Sequence, residues 1–218
     1  MTIKKKLIPN GIPLLVTFVI IGFGWEGFAM DLPEYVCIEG KDNRGPEVLH
    51  TAGKKLTFPL SPEDLADVRI LEQKFDHEEN CAGLAAPQIG ISKQIIIFSA
   101  PEDPKLKKWR ADFTQTMEKT LWINPTYEGM GTDTNEDYEG CFSANDLAGP
   151  VKRFKKIQYT AYDLKGQKVE GIAEGFLARI IQHEIDHVKG RLFIELVPKD
   201  QLLTIEEYRR RRAAAMES

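Results

Sequence analysis

The sequence predicts an α+β fold, a single domain in which antiparallel sheets pack around a buried central helix. Three observations carry this. Residues Ala173 to Ile181 lead into Gln182-His183-Glu184-Ile185-Asp186-His187, with Phe176, Leu177, Ile180 and Ile181 on more than one side, as in a deeply buried helix. Ile95-Ile96-Ile97-Phe98 is a short unbroken apolar run, as in a buried strand. Residues 157–163 and 167–172 alternate, with Leu164-Lys165-Gly166 between them, which reads as an antiparallel hairpin.

The chain has 218 residues and a formal net charge of −4. That length suits one domain with a real core, and the modest charge points to no nucleic-acid partner. Three cysteines, Cys37, Cys81 and Cys141, are too few for a disulfide scaffold. Lys4-Lys5-Lys6 precede an apolar run from Ile12 to Trp25. The run falls short of the about 20 residues a membrane span needs, but it suits a secretory signal. Gly27-Phe28-Ala29 puts small residues at the −3 and −1 positions of a cut before Met30, and Gly22-Phe23-Gly24 offers a second cut. Residues 1–29 are therefore expected to be a signal peptide or, if uncleaved, an N-terminal anchor and the chain's contact with a membrane. An overextended gene start, which would leave the protein cytoplasmic, is the alternative.

The folded domain is expected over residues 45–200, with Val48-Leu49-His50 near its opening. Ser61-Pro62-Glu63-Asp64 is a helix start: Ser61 as N-cap, Pro62 at the first helical position, Asp64 closing a capping box. Leu65, Val68 and Phe75 give that helix an apolar face, and it should fade over residues 76–80. Residues 81–90 are small and nearly uncharged, with Gln88 polar among them, so backbone can come close to a strand or a ligand there. Residues 101–119 read as a surface excursion. Leu121-Trp122-Ile123-Asn124-Pro125 reads as a strand stopped by proline, and residues 128–138 as loop. Residues 201–218 are expected to form a basic helical tail, with Arg209 to Arg212 complementing the helix dipole at its end.

His183 and His187, four apart, share one helix face, and Glu184 stands beside them. Two imidazoles on one face can hold a divalent metal, and the adjacent carboxylate can act on a water there. Gly190 is placed to end the helix. A third ligand is needed. The metzincin position falls on Phe193, which cannot bind metal. Glu206 or Glu207 downstream and Cys141 upstream remain as candidates; a thiolate with two imidazoles suits a soft or borderline metal.

The Gly83-Leu84-Ala85-Ala86-Pro87-Gln88 loop, the Glu139-Gly140-Cys141-Phe142-Ser143 turn and the Gln182 to His187 helix, in that order, resemble the three signature motifs of the peptide deformylase family. The resemblance runs from about Val48 to Pro198. It implies a metal held by Cys141, His183 and His187, Fe(II) by family habit with Zn(II) as the alternative. It implies Glu184 as the catalytic carboxylate and Gln88, helped by the Phe142 backbone N–H, as oxyanion donor. Gly83 and its neighbours match the loop that pairs with an N-formylmethionyl peptide, and Arg153 matches an arginine common after the cysteine motif. Asp186 points off the histidine face and is read as an orienting group. Cys81 stands where the first motif starts with glycine, and Phe142 where leucine is usual; both border the expected methionine pocket. With Cys141 on the metal, Cys37 and Cys81 are the pair left for a disulfide. The rival readings are a thermolysin-type peptidase using Glu206 or Glu207, and a non-catalytic binder of formylated peptides.

Overall fold

The computed structural model describes residues 32–42, 45–79 and 81–217. The expected export segment and its cut sites lie outside them. Among the described residues, no helix is long and apolar enough to cross a membrane.

Ser61 starts the first helix as expected. The Asp64 N–H donates to the Ser61 hydroxyl at 3.1 Å, and the Ser61 N–H donates to the Asp64 carboxylate at 3.0 Å. The helix, α1, spans Pro62–His77. Val68, Leu71 and Phe75 form its buried face, while Leu65 lies outside it, 37% exposed. Seven strands follow: β1 Gly83–Ala85, β2 Ile95–Ala100, β3 Met117–Gly129, β4 Thr134–Gly140, β5 Leu147–Phe154, β6 Lys156–Tyr162 and β7 Lys168–Glu174, the last two forming the expected hairpin. A short helix, α2, Pro104–Trp109, interrupts the surface excursion. The motif helix is α3, Gly175–Val188. A two-residue strand, β8, Leu203–Thr204, and the terminal helix α4, Ile205–Glu217, complete the chain.

The strands form two antiparallel sheets, β1-β2-β3-β6-β7 and β4-β5-β8. β2 is covered on both faces, which explains its unbroken apolar sequence. Ile96 and Phe98 pack with Leu177, Ile181 and Ile185 of α3, while Ile95 and Ile97 pack with Val68 and Leu71 of α1. The smaller sheet puts Leu147 and Val151 against Leu192, Phe193 and Val197, which follow α3. The helix thus sits between the sheets. Gly190, at φ +75°, ends it, its N–H bonding the His187 carbonyl at 3.0 Å.

Three expectations need correction. β3 runs through Pro125 instead of stopping there. Asn124 adopts φ +50°, and the β3–β6 register shifts between Ile123 and Thr126. A bulge tolerates a residue without an N–H donor. The Asn124 side chain stitches it down, bonding the Leu56 N–H and carbonyl at 2.9 Å each. Next, residues 134–138, expected as loop, are strand; β4 pairs with β5 from Thr134↔Phe154 to Gly140↔Ala148. Finally, the arginines of α4 sit mid-helix, because Ala213-Ala214-Ala215 carries the helix on to Glu217. The tail is docked, with Tyr208 stacked on Tyr138 at 4.8 Å between ring centroids and β8 paired to β5.

One electrostatic detail ties α1 to the residues that lead into β2. The Lys93 ammonium lies 2.8 Å from the Asp64 carboxylate. With the Ser61 hydroxyl, it holds Asp64 down at about 2, below the ordinary carboxylate range. A depressed carboxylate adds stability that is complete above its unfolded pKa, about 4, and is lost as pH falls through its folded one. Asp64→Asn is expected to cost about 1–2 kcal/mol at pH 7, with the gap to wild type closing as pH falls through about 2. Urea unfolding of both proteins across this range checks it; a gap independent of pH would contradict it.

Candidate metal centre and catalytic cleft

The site forms where α3 passes between the sheets. Cys141 follows β4 directly and caps the 3-10 turn Phe142–Ala144, its sulfur accepting the Ser143 N–H at 3.4 Å. His183 and His187 project from one face of α3. Their Nε2 atoms are 3.2 Å apart, and Cys141 Sγ is 3.3 Å from His187 Nε2. The three ligand atoms all lie within 4.8 Å of one another. Ligand atoms around one tetrahedral metal are roughly 3.3–3.6 Å apart. The residues therefore fit a divalent cation, and the S,N,N set suits a borderline one.

The surroundings prepare these ligands. Glu139 lies 2.9 Å from His183 Nδ1, which turns Nε2 toward Cys141. Burial alone would raise the Glu139 pKa, but hydrogen bonds from His183 and Arg153 hold it far below the usual range. Arg153 reaches Glu139 through Nε and Nη2, at 2.9 Å each, and its Nη1 donates to Asp186. Arg179 Nη1 donates at 2.7 Å to Glu139 Oε1, which also accepts Arg153 Nε. Burial keeps His187 well below its usual pKa, so it is neutral, as a ligand must be.

Glu184 also lies on α3, 4% exposed, with one carboxylate oxygen buried and unpartnered. Burial pushes its pKa up to about 7, although His183 pulls the other way. A carboxyl poised near neutrality can both take and return a proton. Glycine at position 83 permits this approach, since a Cβ there would stand 2.4 Å from Glu184 Oε1. Gln88 lies on the 3-10 turn Ala86–Ile89. Its Oε1 accepts the Ala85 N–H at 2.8 Å, and its Nε2 donates to Cys141 Sγ at 3.3 Å. Its second amide hydrogen is left to serve a ligand. Gly83, Gln88, Cys141, Phe142, His183 and Glu184 line one cleft of about 630 Å3, with His187 buried behind them.

Phe142 does not fill the cleft. The residue is 39% exposed, and its ring stacks on Tyr35, with centroids 4.7 Å apart. Cys37 and Cys81 are both free thiols, so the structure does not join them. Cys81 lines the cleft, and burial, then the Glu184 charge, pushes its thiol up to about 12, keeping it neutral. Glu206 and Glu207 stand outside the ligand cluster, and Glu207 is held at 2.7 Å by Arg211 on its own helix. Sequence reasoning missed Glu139 and Arg179. Arg179 had a signal: a charged residue in an apolar helix, one turn before His183 on the same face.

Residues 43–202 match the family model described as Polypeptide deformylase. The chain is 56% identical over 190 residues to Peptide deformylase 2 of Rickettsia conorii, covering 86% of this chain and 94% of that one. It is 40% identical over 126 residues to Peptide deformylase 2 of Ralstonia nicotianae, covering 57% and 68%. Among solved structures, it is similar to a Met-Ala-Ser-bound class I type b peptide deformylase from Acinetobacter baumannii, with a TM-score of 0.64 and 28% identity over 77% of this chain and all of that one. It is also similar to a Synechococcus elongatus peptide deformylase in complex with actinonin, with a TM-score of 0.59 and 30% identity over 78% and 83%.

Glu139 makes the site sensitive to one charge. Glu139→Gln leaves two buried guanidinium groups short of a counter-charge, and is expected to cost about 3–5 kcal/mol of stability. It should also weaken zinc binding by about 10- to 100-fold through His183. Denaturant unfolding and a competitive chelator titration read both effects; wild-type values in both would contradict this role.

Proposed function

The chain belongs to the polypeptide deformylase family, and from that premise we propose that it hydrolyses the formamide bond of N-formylmethionyl peptides, releasing formate and a free N-terminal amine. The observation that carries this reading is the convergence of Cys141, His183, Gln88 and Glu184 on one cleft beside Gly83, with His187 against Cys141 and His183 behind it. β1, which begins at Gly83, is an edge strand of the larger sheet, suited to receive an extended peptide.

Cys141, His183 and His187 would hold the cation, Fe(II) or Zn(II). Such a cation supplies Lewis acidity, acidifying water and polarising a carbonyl. The remaining work falls to the chain. Glu184 takes a proton from the attacking water and returns it to the departing amine. Gln88 Nε2 and the Phe142 backbone N–H donate to the oxyanion of the tetrahedral intermediate, a contribution of roughly 3–4 kcal/mol per well-placed donor. Gln88 needs no reorganisation for this, because the Ala85 N–H already pins its Oε1. Burial of Glu184 keeps bulk water from competing for its proton.

Formate release from formyl-Met-Ala-Ser by the metal-loaded protein tests this reading directly. Glu184→Gln should keep the metal and lose about 1,000-fold or more in kcat, at the upper end of what one positioned acid–base group supplies. Cys141→Ala should lose metal and activity together. A Cys141→Ala protein with a full metal complement would sink the ligand assignment, and an active Glu184→Gln protein would sink the proton shuttle.

A further inference from the structure

Residues 32–38 lie ahead of the family-matched segment, which starts at residue 43. They nevertheless bind both loops of the site. The Val36 N–H donates to the Gln88 carbonyl at 2.8 Å, and the Ile38 N–H donates to the Ser143 carbonyl at 2.9 Å. Between them, the Cys37 thiol donates to the Phe142 carbonyl at 3.4 Å. The Asn145 side chain donates back to the Ile38 carbonyl. Tyr35 lies flat on Phe142, with interplanar angle 6°, and the Lys74 ammonium sits 4.2 Å from the Tyr35 ring centroid. Ile38 is fully buried in the same cluster as Ala144 and Leu147.

These contacts fall where the fold is otherwise weak. Gln88 and Cys141 are carried by 3-10 turns of four and three residues, Ala86–Ile89 and Phe142–Ala144. Such short turns have poor hydrogen-bond geometry and little cooperativity of their own. Residues two apart in an extended chain direct their N–H groups to the same side. Val36 and Ile38 therefore reach one turn each from a single stretch of backbone. The distance they span includes the 3.3 Å contact between Gln88 Nε2 and Cys141 Sγ.

We infer that Tyr35–Ile38 is a positioning strap, which sets the oxyanion donor Gln88 against the Cys141 ligand by main-chain hydrogen bonds to both turns. The roles of Gln88 and Cys141 rest on the deformylase reading; the strap's geometry does not. Misplacement of a catalytic group by about 1 Å can cost 100-fold in rate. Loosening the strap should therefore act on turnover more than on substrate binding.

The test uses the full chain with two lesions and one control. Val36→Pro deletes the N–H that holds Gln88, Tyr35→Ala removes the stack on Phe142, and Val36→Ala keeps the N–H. Val36→Pro and Tyr35→Ala should each lower kcat for formyl-Met-Ala-Ser by about 10-fold or more, with KM within about twofold. Both should shift the thiolate-to-metal absorption band of the Co(II)-loaded protein, which reports on the Cys141 sulfur. Val36→Ala should match wild type in both readouts. Wild-type kcat and an unmoved Co(II) band in Tyr35→Ala and Val36→Pro would overturn the strap; if Val36→Pro fails to fold, Tyr35→Ala decides. A wild-type protein that releases no formate counts against the deformylase reading, and the Co(II) band of Tyr35→Ala against wild type then decides the strap by itself.

Discussion

The site depends on one buried carboxylate. Glu139 accepts hydrogen bonds from Arg153 of β5 and Arg179 of α3, and meets His183 of the same helix. Isolated charges cannot stay in such an interior. Each is tolerated because the others are there, and Asp186 completes the set by taking the remaining Arg153 nitrogen. Desolvation offsets most of the Coulombic gain of such a network, so its net worth in stability is small. Its consequence is geometric. The smaller sheet and the central helix can meet in one register, and that register aims the Nε2 of both histidines at the Cys141 sulfur.

The same arrangement explains how opposed pKa demands coexist on one helix. Glu184 follows His183 directly, yet its carboxyl lies against Gly83 and feels His183 and Arg153 only through their charge, whereas both hydrogen-bond Glu139 and depress it. Burial then governs it, and its pKa rises toward neutrality. Two glutamates of similar burial thus part company: Glu139 is a fixed anion that orients, and Glu184 is a group that can exchange a proton. Glycine at 83 makes that separation sterically feasible, and the strap of residues 35–38 ties the neighbouring turns to each other.

Much of this was legible in the sequence where the signal is local. The capping box at Ser61, the buried helix ending at Gly190, the two-sided run of β2 and the hairpin about Leu164-Lys165-Gly166 all follow from short-range chemistry. The histidine pair was legible because its spacing carries the chemistry itself, whereas the third partner stood open between Cys141 and Glu206 or Glu207 until the motifs were read together; the fold brings Cys141 to the pair. The failures lie where tertiary partners override local preference. Pro125 reads as a strand stop until Asn124 is seen bonding Leu56 across 68 positions of chain. Thr134 to Tyr138 is polar because most of it is only half-buried and Asn135 and Asp137 serve Arg179 and Arg110, so no apolar alternation marks it. Glu139 was read as a motif letter beside Cys141, since nothing local shows a carboxylate meeting two arginines 14 and 40 positions away. Residues 35–38 act through backbone groups, which every residue has.

The most direct test of the Glu139-centred arrangement is a crystal structure of the metal-loaded protein, with anomalous data collected at the absorption edge of the bound metal. The expected result is one anomalous peak bonded to Cys141 Sγ, His183 Nε2 and His187 Nε2, with Glu139 still on His183 Nδ1. A metal bonded to His183 Nδ1, to Glu139 itself, or to Glu206 or Glu207 would contradict it.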